Sequence, residues 1–192
     1  MHKELILGFI TNLLAVILGI VITFAVQGMI DRARDRREVR SALELVRSEL
    51  ASNLDDIAVL DDHLHQEQAS ARYLTAHEKD LDRCPLDSVN YHTGVVYADV
   101  SVALSHDALE LLKMSSLFPK IGDNSLSMKI IRAYDTCELM VANISRHFAA
   151  RDAHGAGSVR WLAGLPDPSN YTDATDIRDA LDAIDRFLRK RR

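Results

Sequence analysis

The sequence is poor in the residue types that mark several protein classes. It has two cysteines, four prolines and eight glycines among 192 residues. Cys84 and Cys137 have neither the spacing nor the neighbouring ligands of a metal site, and we expect both to be free thiols in a cytoplasmic domain. The scarcity of proline and glycine, without a low-complexity tract, argues against long disordered linkers.

Signatures of catalysis are also missing, because the sequence has no Gly-rich phosphate loop, nucleophile elbow or nucleotide fingerprint. His63, His65 and Glu67 form a cluster, but side chains two positions apart on a helix point about 200° apart. Only His63 and Glu67 therefore share a face, and the sequence offers no compelling third metal ligand. His106-Asp107 matches a dipeptide of helical metal-dependent phosphohydrolases without a second supporting motif. We expect no catalytic residue, no metal and no cofactor.

The chain also lacks an excess of basic residues. It carries 23 lysines and arginines against 28 aspartates and glutamates, which gives a net charge of −5. This balance gives no support to a nucleic-acid partner.

Residues 5–30 lack any charged side chain. As a helix this run would be about 39 Å long, which exceeds the roughly 30 Å hydrocarbon core of a bilayer. A buried soluble helix would be shorter and would show a polar stripe, and a cleaved signal peptide would have a shorter apolar region and a small-x-small cleavage site. We therefore predict an uncleaved transmembrane helix at 5–30, a short outer segment at 1–4 and one helical domain at 31–192.

The flanking charges predict the orientation of this helix. Only Lys3 precedes it, whereas the basic residues that follow are Arg32, Arg34, Arg36, Arg37 and Arg40. The positive-inside rule then places the C-terminal domain in the cytoplasm. We expect a single-pass protein of the inner (cytoplasmic) membrane, with its N-terminus outside and these arginines in contact with lipid headgroups.

Small and polar residues follow one another at three- or four-residue steps within the apolar run. They are Gly8, Asn12, Ala15, Gly19, Thr23 and Gln27. On a helix they form one narrow stripe, which we call the membrane stripe, and such stripes favour contact with another helix. We expect association with copies of the chain or with another membrane protein. The alternative is that threonine and glycine are simply common in membrane helices and that Gln27 lies at the interface.

From residue 31 to about residue 70 the sequence has no glycine or proline. Apolar residues recur there at three- or four-residue steps, which predicts an amphipathic helix continuing out of the membrane; they are Val39, Leu43, Val46, Leu50, Leu54, Ile57, Leu60 and Leu64. This face would be a coiled-coil seam or the inner face of a bundle. Asn53 interrupts a strict heptad and favours the bundle.

The rest of the chain predicts a loop at 77–94, where Pro85 disfavours helical continuation at Cys84. It also predicts a short helix or extended arm at 95–104 and a connector at 158–171. Three further helices are predicted. The first lies at 105–118 with Ser105 as N-cap, and its core candidates are Leu109, Leu111, Leu112 and Met114. The second runs from 124 or 125 to about 152 and is ended by Gly155 and Gly157, and the third runs from 172 or 173 to the C-terminus. The basic end of the last helix complements the helix dipole, and lipid contact there is the less favoured alternative. The predicted fold is all-α: one transmembrane helix continuing into a cytoplasmic antiparallel bundle of about four helices.

Two segments, RREVRSALELVRSELASNLDDI and ALELLKMSSLFPKIGDNSLSMKIIRAYDTCELM, make the chain resemble an uncharacterised group of small single-pass bacterial membrane proteins. The resemblance covers about two thirds of the chain. Residues 112–116, the turn through Asn124, and Tyr134 fit the pattern of the group. The chain departs from the pattern at Leu117-Phe118, where a glycine is expected. The resemblance implies a fold and a location, but no activity.

These observations favour a non-enzymatic, membrane-anchored scaffold or accessory subunit. An oligomeric signalling or pore-forming effector is the first alternative, with Asn12, Thr23 and Gln27 lining the path. A helical metal-dependent hydrolase is the least favoured class.

Overall fold

The computed structural model describes the backbone of residues 2–98 and 100–190, and the side chains of 14–98, 100–155 and 157–190. The regular elements of this part of the chain are all helical. Its α-helices are α1 (His2–Ala76), α2 (Leu86–Val96), α3 (Asp107–Met114), α4 (Asn124–His154), α5 (Ser158–Ala163) and α6 (Thr175–Lys190). Short 3₁₀ turns lie at Leu81–Arg83, Phe118–Ile121, Gly155–Gly157 and Pro168–Asn170.

Helix α1 is the longest helix among the described residues. It has 75 residues, which corresponds to a length of about 110 Å. By length and composition it is the one helix among the described residues that could cross a membrane. Between residues 14 and 30 every residue except the half-buried Gly28 is exposed. From Val39 onward the same helix packs against the rest of the protein.

The apolar periodicity of α1 correctly predicts its buried face. The main core combines residues 39–57 of α1 with apolar side chains of α3, α4 and α6. Leu60 and Leu64 continue the buried face against Ile144 of α4, and a second cluster packs Ala71 and Leu74 against α2 and α5. Of the eight residues predicted for this face, Leu54 is half-buried and the other seven are buried.

Contacts between side chains give the directions of the helices that pack on α1. Arg40 donates to the carbonyl oxygen of Leu188 near the end of α6, while Asp61 accepts a hydrogen bond from Thr172 just before α6 begins. Helices α1 and α6 therefore run in opposite directions. Helix α4 runs in the same direction as α1, because Glu49 contacts Tyr134 early in α4 and Glu67 contacts His147 later in it.

Two parts of the predicted topology were wrong. The loop expected at 77–94 contains α2, which begins directly after Pro85. Proline is tolerated there because the first backbone N–H groups of a helix have no partner within the helix. The connector expected at 158–171 contains the six-residue helix α5 and a 3₁₀ turn. Both helices bury apolar side chains against the second half of α1.

Some predicted caps and core residues also differ from the structure. The residue before α3 is His106 rather than Ser105, and Asp123 caps α4 by accepting a hydrogen bond from the backbone N–H of Leu126. The side chains of Leu111 and Met114 are exposed, because the two-turn helix α3 turns only one face toward the core. The predicted end of α4 at the glycines 155 and 157 is confirmed, and Gly155 adopts a φ of 48°.

Residues 98 and 100–106, which we call the extended arm, lie between α2 and α3 and form no regular element, whereas residues 95 and 96 of the predicted short helix or arm belong to α2. Asn53 of α1 holds this arm: its Nδ2 donates to the carbonyl oxygen of Ser105 at 2.8 Å, and its Oδ1 accepts from the backbone N–H of Ser105 at 2.9 Å. Asn53 is buried, with 1% of its surface exposed. The residue that interrupts the heptad therefore binds a backbone segment 52 positions away.

Replacing Asn53 by leucine should lower the free energy of unfolding by about 1 to 3 kcal/mol, because both backbone groups of Ser105 lose their partners. Thermal unfolding of the full chain in mild detergent measures this effect. Asn90→Leu is the control, since Asn90 is exposed on α2. Equal melting temperatures for the two variants would contradict the assigned role.

Candidate functional site

The membrane stripe lies on the exposed part of α1. Gly8 and Asn12 lie outside the residues whose side chains are described. Ala15, Gly19, Thr23 and Gln27 are all exposed. The hydroxyl of Thr23 donates to the carbonyl oxygen of Gly19 at 2.8 Å, so its hydrogen already has a partner within the helix.

The glycines of this segment are not required by the packing of a single chain. A Cβ atom added to Gly19 or to Gly28 would meet nothing within 4 Å. Gly19 lies on the membrane stripe, whereas Gly28 lies on the opposite side of the helix by the 100° step per residue. These two positions therefore form a matched pair for testing the stripe.

The arginines after the apolar segment are partly engaged in local ion pairs. Arg34 pairs with Glu38 at 2.7 Å, and Arg40 pairs with Glu44 at 3.0 Å. Arg32, Arg36 and Arg37 are exposed and form no ion pair with any residue that the structure describes. The five arginines begin beside the exposed apolar segment and reach the first packed turns of α1.

A buried ionic cluster joins α1, α4 and the extended arm. The Nε2 atom of His147 lies 2.7 Å from a carboxylate oxygen of Glu67, and Arg151 donates to the other oxygen at 3.3 Å. Arg151 also donates to the carbonyl oxygens of Val96 and Ala98, each at 3.1 Å. Glu67, Arg151 and His147 are 1%, 4% and 9% exposed, so these side chains interact with one another away from water.

His63 faces this cluster, and its Nε2 atom is buried without a hydrogen-bond partner among the described residues. Burial lowers the pKa of His63, the Glu67 carboxylate opposes this shift, and the neighbouring Arg151 and His147 add to the lowering. The predicted shared face of His63 and Glu67 is present, but Glu67 is engaged by Arg151 and His147. No group of three or more metal-ligating side chains among the described residues could hold a metal ion.

A second polar cluster holds the start of α3. The carboxylate of Glu49 accepts hydrogen bonds from the hydroxyls of Tyr134 and Ser105, each at 2.6 Å, and from the backbone N–H of Ala108. Burial, with Glu49 beside it, raises the pKa of Tyr134. Burial also raises the pKa of the Cys137 thiol to about 11, so this cysteine is a protonated core residue near neutral pH.

A groove of about 660 Å³ lies between the end of α1, α2 and α5. Its walls include Leu74, Val89 and Trp161. The Glu78 carboxylate and the Arg160 guanidinium, 2.7 Å apart, contribute to its lining. Its size lies within the range of small-molecule pockets, but its two charged side chains already pair with each other.

Sequence reasoning missed the partners in both polar clusters. Local sequence patterns do not indicate Glu49, His147 or Arg151 as functional residues, and they relate Glu67 only to His63, as half of a metal pair. A signal for Glu67 was present, because it continues the three- and four-residue steps of the apolar face between Leu64 and Ala71. A carboxylate at such a position must be buried and needs a partner.

Comparison of the chain with protein-family models, with curated proteins and with solved structures gives no match. The resemblance to small single-pass bacterial membrane proteins therefore stays a prediction based on sequence motifs.

Proposed function

We propose that this chain is a non-enzymatic, membrane-anchored scaffold or accessory subunit. In this proposal residues 5–30 cross the inner membrane once, and residues 31–192 form a cytoplasmic helical domain that binds copies of the chain or another membrane protein. The proposal involves no cofactor and no nucleic acid.

The observation that carries the proposal is the division of α1 into two parts with opposite environments. Its apolar residues between 14 and 30 touch nothing that would cover them, and large exposed side chains there include Phe24, Met29 and Ile30. Leaving so much apolar surface in water is unfavourable, whereas a bilayer removes it from water without a protein partner. Because the helix continues without interruption into the folded body, the body is held directly at the membrane surface.

The membrane stripe supports association within the bilayer. Small residues let two helix backbones approach closely, and an amide side chain in hydrocarbon gains a hydrogen bond from a neighbouring helix. Gln27 is such a side chain, and it is exposed on the single chain. The open space beside Gly19 leaves room for a second helix.

Replacing Gly19 by leucine should weaken this association by at least about tenfold, because the larger side chain separates the helix backbones. The mass and composition of complexes of the full-length chain, extracted from its native host in mild detergent, measure the effect. Gly28→Leu is the control, since it adds the same side chain on the opposite face. A complex that both substitutions leave intact would contradict the role of the stripe, and a monomer without any co-purifying protein would contradict the proposed function.

A further inference from the structure

The fold brings the C-terminal end of α6 to the membrane-proximal part of the folded body. Arg40 Nη1 donates to the carbonyl oxygen of Leu188 at 3.3 Å. Two turns further along α1, Arg47 pairs with the Asp185 carboxylate. The last turn of α6 therefore lies beside the arginines that follow the apolar segment, although roughly 150 residues separate them in the sequence.

This juxtaposition concentrates positive charge in an acidic protein. Residues 31–40 and 186–190 together contain eight basic and three acidic side chains, whereas the whole chain has more acidic than basic residues. Arg186, Arg189 and Lys190 are exposed, as are Arg36 and Arg37. The negative end of the α6 dipole explains why basic residues occur at the end of α6. It does not explain why that end lies next to a second basic segment.

A small slot lies where the two basic segments meet. It has a volume of about 130 Å³ and is lined by Arg36, Arg37, Arg40, Phe187 and Leu188. The exposed guanidinium groups of Arg36 and Arg37 can offer paired N–H donors to phosphate oxygens. Arg40 adds positive charge beside them, although it already donates to Glu44 and to the carbonyl oxygen of Leu188. The side chains of Phe187 and Leu188 give the slot an apolar wall, which suits the glycerol and first methylene groups of a lipid better than a free phosphate ion.

The slot also lies at a suitable height above the bilayer. Arg36 follows Ile30 by six residues, a rise of about 9 Å along the helix, and Arg40 follows it by ten residues, a rise of about 15 Å. The headgroup layer on each side of a bilayer is about 5 to 8 Å thick, and the apolar run is longer than the hydrocarbon core. Arg36 and Arg37 would therefore lie in or just above the headgroups, with the end of α6 beside them.

We infer that α1 and α6 together form a binding site for the headgroup of an anionic phospholipid. The basic residues of this α1–α6 site are Arg36, Arg37, Arg40, Arg189 and Lys190. The inference rests on the proposed function, since the site reaches headgroups only if α1 crosses the membrane. The sequence predicts that the α1 arginines contact lipid headgroups. The inference goes further, because it names the lipid class and includes residues of α6 in the site.

Native mass spectrometry of the full-length chain in mild detergent, titrated with phosphatidylglycerol or phosphatidylcholine, tests this site. The chain should bind phosphatidylglycerol preferentially. Arg36→Gln/Arg37→Gln and Arg189→Gln/Lys190→Gln should each weaken that binding by about 25-fold, because each basic residue near an anionic surface contributes about fivefold. Lys79→Gln/Arg83→Gln, which removes two exposed charges beyond the far end of α1, should leave it unchanged.

Three results would overturn the inference. The first is equal binding of the two lipids, and the second is loss of binding with the α1 variant but not with the α6 variant. The third is displacement of the lipid by millimolar glycerol phosphate, which would identify a site for soluble phosphates. Alkaline extraction of host membranes separates this inference from the proposed function: an integral chain without lipid preference overturns the inference alone, and a chain released by alkali overturns both.

Discussion

Replacing Arg151 by methionine is expected to destabilise the protein by about 3 to 5 kcal/mol. The substitution removes the guanidinium from Glu67, whose carboxylate is 1% exposed and keeps only its contact with His147. It also leaves the carbonyl oxygens of Val96 and Ala98 without the donor that holds them. A buried charge that loses its partner costs far more than an exposed ion pair contributes.

Thermal unfolding of the full chain in mild detergent, followed by tryptophan fluorescence, measures this change. Trp161 is the single tryptophan, and its ring lies 5.6 Å from the ring of His147. The control is Arg146→Met, because Arg146 is exposed on the same helix and, among the residues that the structure describes, donates only to the carbonyl oxygen of Ala142 one turn earlier. We expect that control to change the stability by less than about 0.5 kcal/mol.

The double variant Glu67→Met/Arg151→Met separates the ion pair from other effects of the substitutions. It should be more stable than the Arg151→Met variant, because it leaves no buried carboxylate without its guanidinium. If the stability loss of the double variant equals the sum of the losses for Glu67→Met and Arg151→Met, the two charges do not interact as described. A loss below about 1 kcal/mol for Arg151→Met would contradict the importance of the cluster itself.

The parts of the fold that were predicted correctly depend on local patterns. The steps of three and four residues from Val39 to Leu64 determine which face of α1 is apolar. The absence of glycine and proline from residue 31 to about residue 70 predicts that this segment is one continuous helix. The glycines at 155 and 157 end α4 as predicted. Each of these signals lies within a few residues of the feature that it determines.

The parts that were missed depend on contacts between distant segments. Asn53 visibly interrupts the heptad in the sequence, but the backbone of Ser105 that it binds is 52 residues away. Helix α5 has only six residues, and short helices depend on packing rather than on their own propensity. Pro85 disfavours a helix that continues through Cys84, but it stands directly before the first turn of α2, where a proline does no harm.

The candidate functional surfaces also fall into those that local sequence patterns predict and those that depend on contacts between distant segments. The exposed apolar segment and the arginines after it could be predicted from the sequence, since both are continuous stretches of chain. The position of α6 beside those arginines could not, because it follows from how α1, α4 and α6 pack. The buried ionic cluster likewise requires residues of α1 and α4 that lie 80 or more positions apart.

Introducing arginine at Val16 and Val21 is expected to abolish stable integration of the chain into the membrane. A charged side chain near the centre of a membrane helix costs about 2.5 to 3.5 kcal/mol for insertion, so two substitutions cost about 5 to 7 kcal/mol. Both valines lie well inside the apolar run, where neither side chain can easily reach the headgroups. Alkaline extraction should move the variant from the integral membrane fraction to the soluble or aggregated fraction.

The matched control uses the same helix and similarly exposed side chains. Leu45 and Val59 are 45% and 71% exposed, compared with 60% and 57% for Val16 and Val21, but they lie on the packed body beyond the arginines. If α1 crosses the membrane only through its N-terminal part, arginine at Leu45 and Val59 leaves integration intact. If alkali removes both double variants from the membrane, an arginine at any exposed position of α1 prevents stable integration, and the apolar run has no special role. If neither is extracted, residues 5–30 are not what holds the chain in the membrane, and the anchor at the centre of the proposed function is wrong.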